Sequence, residues 1–139
     1  MLAPIMASTS ASHLQNKKFQ YTPRQIHQYY ERIQLPSKYR YEPGEFSREV
    51  VRQRDGHGFL GALHRHTLAH IPFENLQLHY SPYHLSSMHP DALFDMIVAG
   101  GRGRGGYCME NNVLLGTVLR SLGFQVVGWL CILTFTYLR

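Results

Sequence analysis

The chain has 139 residues, 44% of them hydrophobic, with nine Tyr, seven Phe and one Trp; that is enough apolar mass for one globular core and too much for a disordered chain. Its net charge of +5 comes from basic residues scattered singly or in pairs, which excludes a basic stripe for a phosphate backbone, so no nucleic-acid partner is expected. Only Cys108 and Cys131 are present, too few for a disulfide framework, which points to reduced thiols and a cytoplasmic location.

Residues 1–19 read as a disordered tail. The stretch is rich in Ser and Ala, its only bases are Lys17 and Lys18, and neither a transit peptide nor a secretory core is formed. A first helix is predicted from Thr22-Pro23, an N-cap followed by proline at the first helical position. Ile26, Tyr29, Tyr30 and Ile33 then share one helical face, which stops before Leu35-Pro36. Residues 37–58 are polar and carry the turn signals Pro43-Gly44 and Asp55-Gly56, so a long connection is expected, with a helical turn around Ser47 to Arg52. A second helix is predicted over Gly58–Ala69, with Phe59, Leu60, Leu63 and Thr67 as its apolar side, followed by a short strand or extended segment from Ile71 to His79. Pro90 opens a third helix that buries Leu93, Phe94, Ile97 and Val98 and is stopped by Gly100 and Gly101. A fourth, from about Tyr107 to Ser121, presents Val113, Leu114, Leu115, Val118 and Leu122 and places Gly123 just past its end. Residues 125–138 are nearly continuously apolar, too short for a membrane span, and read as one or two core strands or a strand with an irregular tail; no membrane partner is expected. The result is a mostly α chain, a small helical bundle leading into the start of a sheet.

The sequence Gly100-Gly-Arg-Gly-Arg-Gly-Gly-Tyr-Cys108 puts a thiol at the start of a helix, behind a glycine-rich loop. Unpaired N–H groups and the positive end of the helix dipole favour a thiolate there, and the thiolate is the nucleophile. Glycines at 100, 101, 103, 105 and 106 permit positive φ and close approach, and Arg104 adds a cation unless a carboxylate engages it. The bland alternative, a buried inert cysteine opening a core helix, stands beside this reading. No Lys-Ser/Thr follows the glycines, so the loop is not a phosphate-binding P-loop. A single Arg102-Gly-Arg104-Gly-Gly unit between apolar helices is not an RNA-binding repeat. His66 and His70 stand four apart, a spacing that suits zinc together with His64, yet no acidic residue or second ligand pair accompanies them, so a solvated helix face is the preferred reading and no metal site is assigned. In Ile71-Pro-Phe-Glu74-Asn75-Leu76 a carboxylate and an amide sit between apolar residues, with Arg104 the obvious partner; a plain turn with exposed polar groups fits equally.

Three segments together, Ile71-Pro-Phe-Glu-Asn-Leu76, Arg104-Gly-Gly-Tyr-Cys-Met-Glu-Asn111 and Leu119-Arg-Ser-Leu-Gly-Phe124, resemble the N-terminal part of the arylamine N-acetyltransferase family, most closely its fungal members, over roughly residues 20 to 127. The resemblance implies the helical bundle of an α+β fold with only the start of its β-barrel and no lid domain. It implies ping-pong acyl transfer with acetyl-CoA as cosubstrate and no bound cofactor, from a thioester on Cys108 to an arylamine, arylhydroxylamine or hydrazine. Arg104, Gly105, Gly106, Glu74 and Asn75 would then be structural around the site.

The family order is Cys, then His, then Asp, whereas all nine histidines here precede Cys108, as do Asp55, Asp91 and Asp95. Residues 128–139 no longer resemble the family, so the chain is expected to be truncated and inactive alone, with His70 and His79 the upstream histidines nearest the Ile71–Leu76 segment. The alternative is a non-catalytic interaction or regulatory fragment, with self-association through the apolar C-terminal segment.

Overall fold

A computed structural model of the protein describes residues 19–43, 56–83, 85–129 and 132–135. The expected tail through residue 18 and the turn around Ser47 to Arg52 lie outside the described residues, as does Cys131.

Helix α1 spans Pro23–Arg32. Thr22 and Gln25 close a capping box: the Gln25 N–H donates to Thr22 Oγ1 at 3.3 Å and the Thr22 N–H to Gln25 Oε1 at 2.9 Å. Ile26, Tyr29, Tyr30 and Ile33 are all fully buried, as the periodicity requires. The helix ends with Gln34 in the left-handed region at φ 52°; the Gln34 N–H reaches the Glu31 carbonyl and the Leu35 N–H the Tyr30 carbonyl, which turns Leu35 into the core. A single 3₁₀ turn, Ser37–Tyr39, follows.

Helix α2 runs Gly56–His70, slightly longer at both ends than the apolar pattern indicates, and buries Phe59, Ala62, Leu63 and Thr67. The expected strand after it is not formed. Phe73 makes one isolated parallel bridge with Gly106, and Leu76–Tyr80 closes into a short helix, α3. The physical reason is that Gly106 is the one bridge partner found for this segment among the described residues; beyond it the backbone closes local bonds, such as Ser81 N–H to the Gln77 carbonyl at 3.2 Å.

Helix α4, Pro90–Phe94, continues into a π-helical turn over Asp95–Ala99, and together they bury Leu93, Phe94, Ile97 and Val98. Helix α5, Cys108–Ser121, is the central element: Leu114, Leu115, Val118, Leu119 and Leu122 lie in the same core as Tyr29, Phe59 and Ile97. Gly123, at φ 99°, ends it with paired bonds from its own N–H to Arg120 and from the Phe124 N–H to Leu119, both 3.0 Å; only glycine takes that conformation cheaply. Phe124 then stacks on Phe59 at 6.2 Å between centroids. The chain proceeds into an antiparallel pair, β1 (Val126–Trp129) and β2 (Ile132–Phe135), in register from Val126 opposite Phe135 to Trp129 opposite Ile132. No described helix is long and apolar enough to cross a membrane.

Two tyrosines join the core through their hydroxyls. Tyr29 pairs with Thr67 Oγ1 at 2.7 Å, and Thr67 donates in turn to the Leu63 carbonyl. Tyr21 donates to the Pro90 carbonyl at 2.8 Å, while its own N–H is held by Ser121 Oγ at 2.7 Å. Burial, the largest cause for each, raises both phenol pKa values well above the usual 10.0. The folded chain therefore keeps these protons where the unfolded chain releases them, so the unfolded state binds fewer protons and stability falls as pH rises past the ordinary tyrosine range. Tyr29→Phe is expected to cost about 1 kcal/mol at neutral pH and to flatten that alkaline loss; urea melts between neutrality and the tyrosine range check it, and an unchanged slope in the variant would exonerate Tyr29.

Candidate active site

The loop between α4 and α5 is held in place by its own lack of side chains. The Gly106 N–H donates to the Pro72 carbonyl at 3.3 Å and the Glu74 N–H to the Gly106 carbonyl at 3.1 Å, forming the bridge of Phe73 to Gly106. A Cβ on Gly105 would lie 1.8 Å from the Pro72 carbonyl oxygen, and one on Gly106 would lie 2.6 Å from Glu110 Oε2. Neither glycine has positive φ, so both are glycine for space. Gly101 and Gly103 are the reverse case, with φ of 62° and 66° and open space around them.

Charge completes the docking. Arg104 Nε donates to Glu74 Oε1 at 2.5 Å, a partly buried pair that joins the two motifs as the sequence suggests, so the Arg104 cation is engaged by a carboxylate. The Arg104 carbonyl is itself held by Arg32, which the sequence reading passes over. From the end of α1 the Arg32 guanidinium donates to Arg104 O at 3.1 Å, to His70 O at 2.6 Å and to Ile97 O at 3.1 Å. One side chain thereby satisfies carbonyls from the glycine loop, the end of α2 and the π turn. No periodicity marks it; the only sequence signal is a cation at the last turn of a helix whose other face is apolar.

These contacts fix the first turn of α5. Its N-cap is Tyr107, and the Tyr107 N–H donates to the Glu110 carboxylate at 2.9 Å. Glu110 is 1% exposed, and its other oxygen accepts the Ser86 hydroxyl. Asn111 Nδ2 donates to the Gly106 carbonyl at 2.7 Å, while its Oδ1 is buried without a partner among the described residues. Burial first, then the nearby charges of Glu110 and Cys108, push the Tyr107 phenol up. The thiol that follows is exposed, which overturns the bland alternative of a buried inert cysteine. As the first residues of the helix, Cys108 and Met109 have N–H groups with no intrahelical acceptor.

The structure thus brings Arg104, Gly105, Gly106 and Glu74 together beside Cys108. Asn75 is not brought in by its side chain: it is exposed at the start of α3 and makes no side-chain hydrogen bond among the described residues. The described histidines of α2 and α3 have other surroundings. His66 Nδ1 pairs with the Ile33 carbonyl and His70 Nδ1 with the His66 carbonyl, with the two rings stacked at 5.7 Å. His64 lines a depression between α2 and α5 with His57, Leu60 and Leu115, and His79 is exposed on α3. Among the described residues no three His, Cys, Asp or Glu side chains gather as a metal site, and no histidine is hydrogen-bonded to Cys108.

A family model described as N-acetyltransferase matches residues 58–133. The chain belongs to the arylamine N-acetyltransferase family. The match includes all three motif segments and runs past Gly128, into residues that the sequence alone does not show to resemble the family. An N-malonyltransferase, FDB2, of Gibberella moniliformis is 36% identical over 119 residues, covering 81% of this chain and 33% of the relative. An arylamine N-acetyltransferase of Mycolicibacterium smegmatis is 49% identical over 71 residues, 48% of this chain and 24% of the relative. The pineal gland isozyme NAT-3 of Gallus gallus is 39% identical over 67 residues, 48% and 22% of the two chains. The chain spans about a third of the length of the N-malonyltransferase relatives it matches.

The two kinds of glycine separate experimentally. Gly105→Ala is expected to lose about 3 kcal/mol because backbone must move, whereas Gly101→Ala loses about 1 kcal/mol through its conformation alone. Equal losses in urea melts would contradict the assignment. Arg32→Lys, which cannot reach three carbonyls, is expected to lose about 2 kcal/mol, and a variant as stable as the parent would show that the guanidinium is dispensable.

Proposed function

We propose that Cys108 is the acyl-accepting nucleophile of a CoA-dependent N-acyl transfer. The observation that carries this reading is an exposed thiol at the first position of α5, behind a loop held rigidly to the Ile71–Leu76 segment. In the first half-reaction the Cys108 thiolate attacks the thioester carbonyl of acyl-CoA. The Sγ–C bond forms, the C–S bond to CoA breaks, and CoA leaves as a thiolate that takes up a proton. The unpaired N–H groups at the helix start are the groups of this chain suited to stabilise the tetrahedral oxyanion. In the second half-reaction an amine nitrogen attacks the acyl-cysteine, the N–C bond forms, and Cys108 is released as the amine gives up its proton. Acceptors of the arylamine, arylhydroxylamine or hydrazine class suit the apolar surface that exposed Phe73 and Met109 add at the loop bridge and beside the thiol. Glu74, Arg104, Gly105 and Gly106 act by holding the loop, and we assign Asn75 to the same structural group on the family resemblance.

The reading for this chain alone is a single acylation without efficient turnover, because among the described residues no histidine is hydrogen-bonded to Cys108 to relay the amine proton. Names among the relatives cover both acetyl and malonyl transfer, so both donors belong in the test. Incubation with acetyl-CoA or malonyl-CoA and intact-mass measurement is expected to show one acyl group, labile to hydroxylamine and lost in Cys108→Ala. An adduct that survives in Cys108→Ala, or none with either donor, would remove Cys108 from the role; steady acylation of an arylamine would overturn the single-acylation reading.

A further inference from the structure

We propose that Glu110, gripped by Ser86, is a positioning residue for Cys108. The inference rests on the reading of Cys108 as the reactive group and extends it to a residue that reading does not use. Glu110 is a carboxylate at 1% exposure with both oxygens engaged, one by the Tyr107 N–H at 2.9 Å and the other by the Ser86 hydroxyl. Burying a charge is unfavourable unless it is hydrogen-bonded in this way, and the bonds made here act on the residue directly before the thiol. By capturing the Tyr107 N–H, Glu110 decides that α5 begins at Cys108, not one residue earlier or later. A second observation supports a built slot. Any side chain at Gly106 would meet the Glu110 carboxylate and its Cβ, at 2.6 and 2.8 Å, and Asn111 Oδ1 at 3.2 Å, so the second glycine of the Gly105-Gly106 pair leaves the room that this carboxylate occupies.

Ser86 gives the device its second anchor. The segment from Phe73 to Ser86 is tied to the loop at one end by the Phe73–Gly106 bridge and the Glu74–Arg104 pair, and to the first turn of α5 at the other by Ser86. The carboxylate therefore fixes the position of the thiol relative to both neighbours. The charged and titratable groups around this turn are Glu110 and Tyr107 on α5, the mutually neutralising Arg104–Glu74 pair, Arg102 further along the loop, and His89 and Asp91 at the start of α4, 4.0 Å apart. Asp95 lies on the π turn.

The test compares Glu110→Gln with Glu110→Ala. Both remove the same negative charge, but only glutamine retains an oxygen for the Tyr107 N–H and an amide for Ser86. Alkylation of Cys108 by iodoacetamide, followed against pH, needs no acyl-CoA, so its failure is distinct from failure of the acyl-transfer reading. Glu110→Gln, with both bonds retained, is expected to keep alkylation and acylation within about twofold of the parent. Glu110→Ala, with the helix start released, is expected to be alkylated more slowly than the Gln variant and to take an acetyl group from acetyl-CoA about tenfold more slowly. Ser86→Ala, a milder change, should slow acylation a few-fold with far-UV circular dichroism unchanged, and it decides the matter if Glu110→Ala fails to fold. Identical alkylation and acylation rates in the two Glu110 variants, or parental acylation in Ser86→Ala, would overturn the proposal.

Discussion

The approach of the Gly105–Gly106 backbone to Pro72 on one side and to the Glu110 carboxylate on the other is the constraint from which the site follows. At these two positions the space for a side chain is filled by a carbonyl oxygen and a carboxylate. Because the backbone itself makes the contact, the loop cannot drift without losing the bridge to Phe73, and the first turn of α5 is set down where the loop ends. Cys108 inherits its exposure and its free neighbouring N–H groups from that placement; its own side chain contributes nothing to the docking.

Arg32 extends the constraint into the bundle. Its three acceptors belong to segments far apart in sequence, each an end or an irregular piece of backbone: a loop, a helix end, a π turn. A planar guanidinium with donors in a fixed fork serves three such groups at once, which the single ammonium of lysine does not. The helical core and the site are thus joined through main-chain acceptors, with the Glu74–Arg104 pair bracing the outer side.

Much of the helical part was legible beforehand, because burial on one face leaves a period in the sequence. Ile26, Tyr29, Tyr30 and Ile33, the Leu93–Val98 stripe and the α5 leucines were read from spacing and are buried. Capping chemistry was legible for the same kind of reason: Thr22-Pro23 and Gly123 are local signals for local geometry. The Ile71–His79 segment, expected as a short strand or extended segment, is a bridge followed by a short helix, since a strand is defined by its partner and among the described residues the partner is a single glycine. The loop glycines are expected to permit positive φ and close approach; which serves which, Gly101 and Gly103 the first and Gly105 and Gly106 the second, depends on what lies opposite.

By itself, then, the sequence determined helices α1, α2, α4 and α5, the caps at Thr22 and Gly123, the thiol at a helix start and the family, all carried by residues near one another in the chain. The tertiary structure alone decided that Arg32 holds the loop, that Ser86 and Glu110 meet, that Asn75 stands apart by its side chain and that His66 and His70 engage the Ile33 and His66 carbonyls. The physical reason is that hydrogen bonds to carbonyls and close backbone approaches have no residue-type period. They exist only once distant segments have been packed against each other.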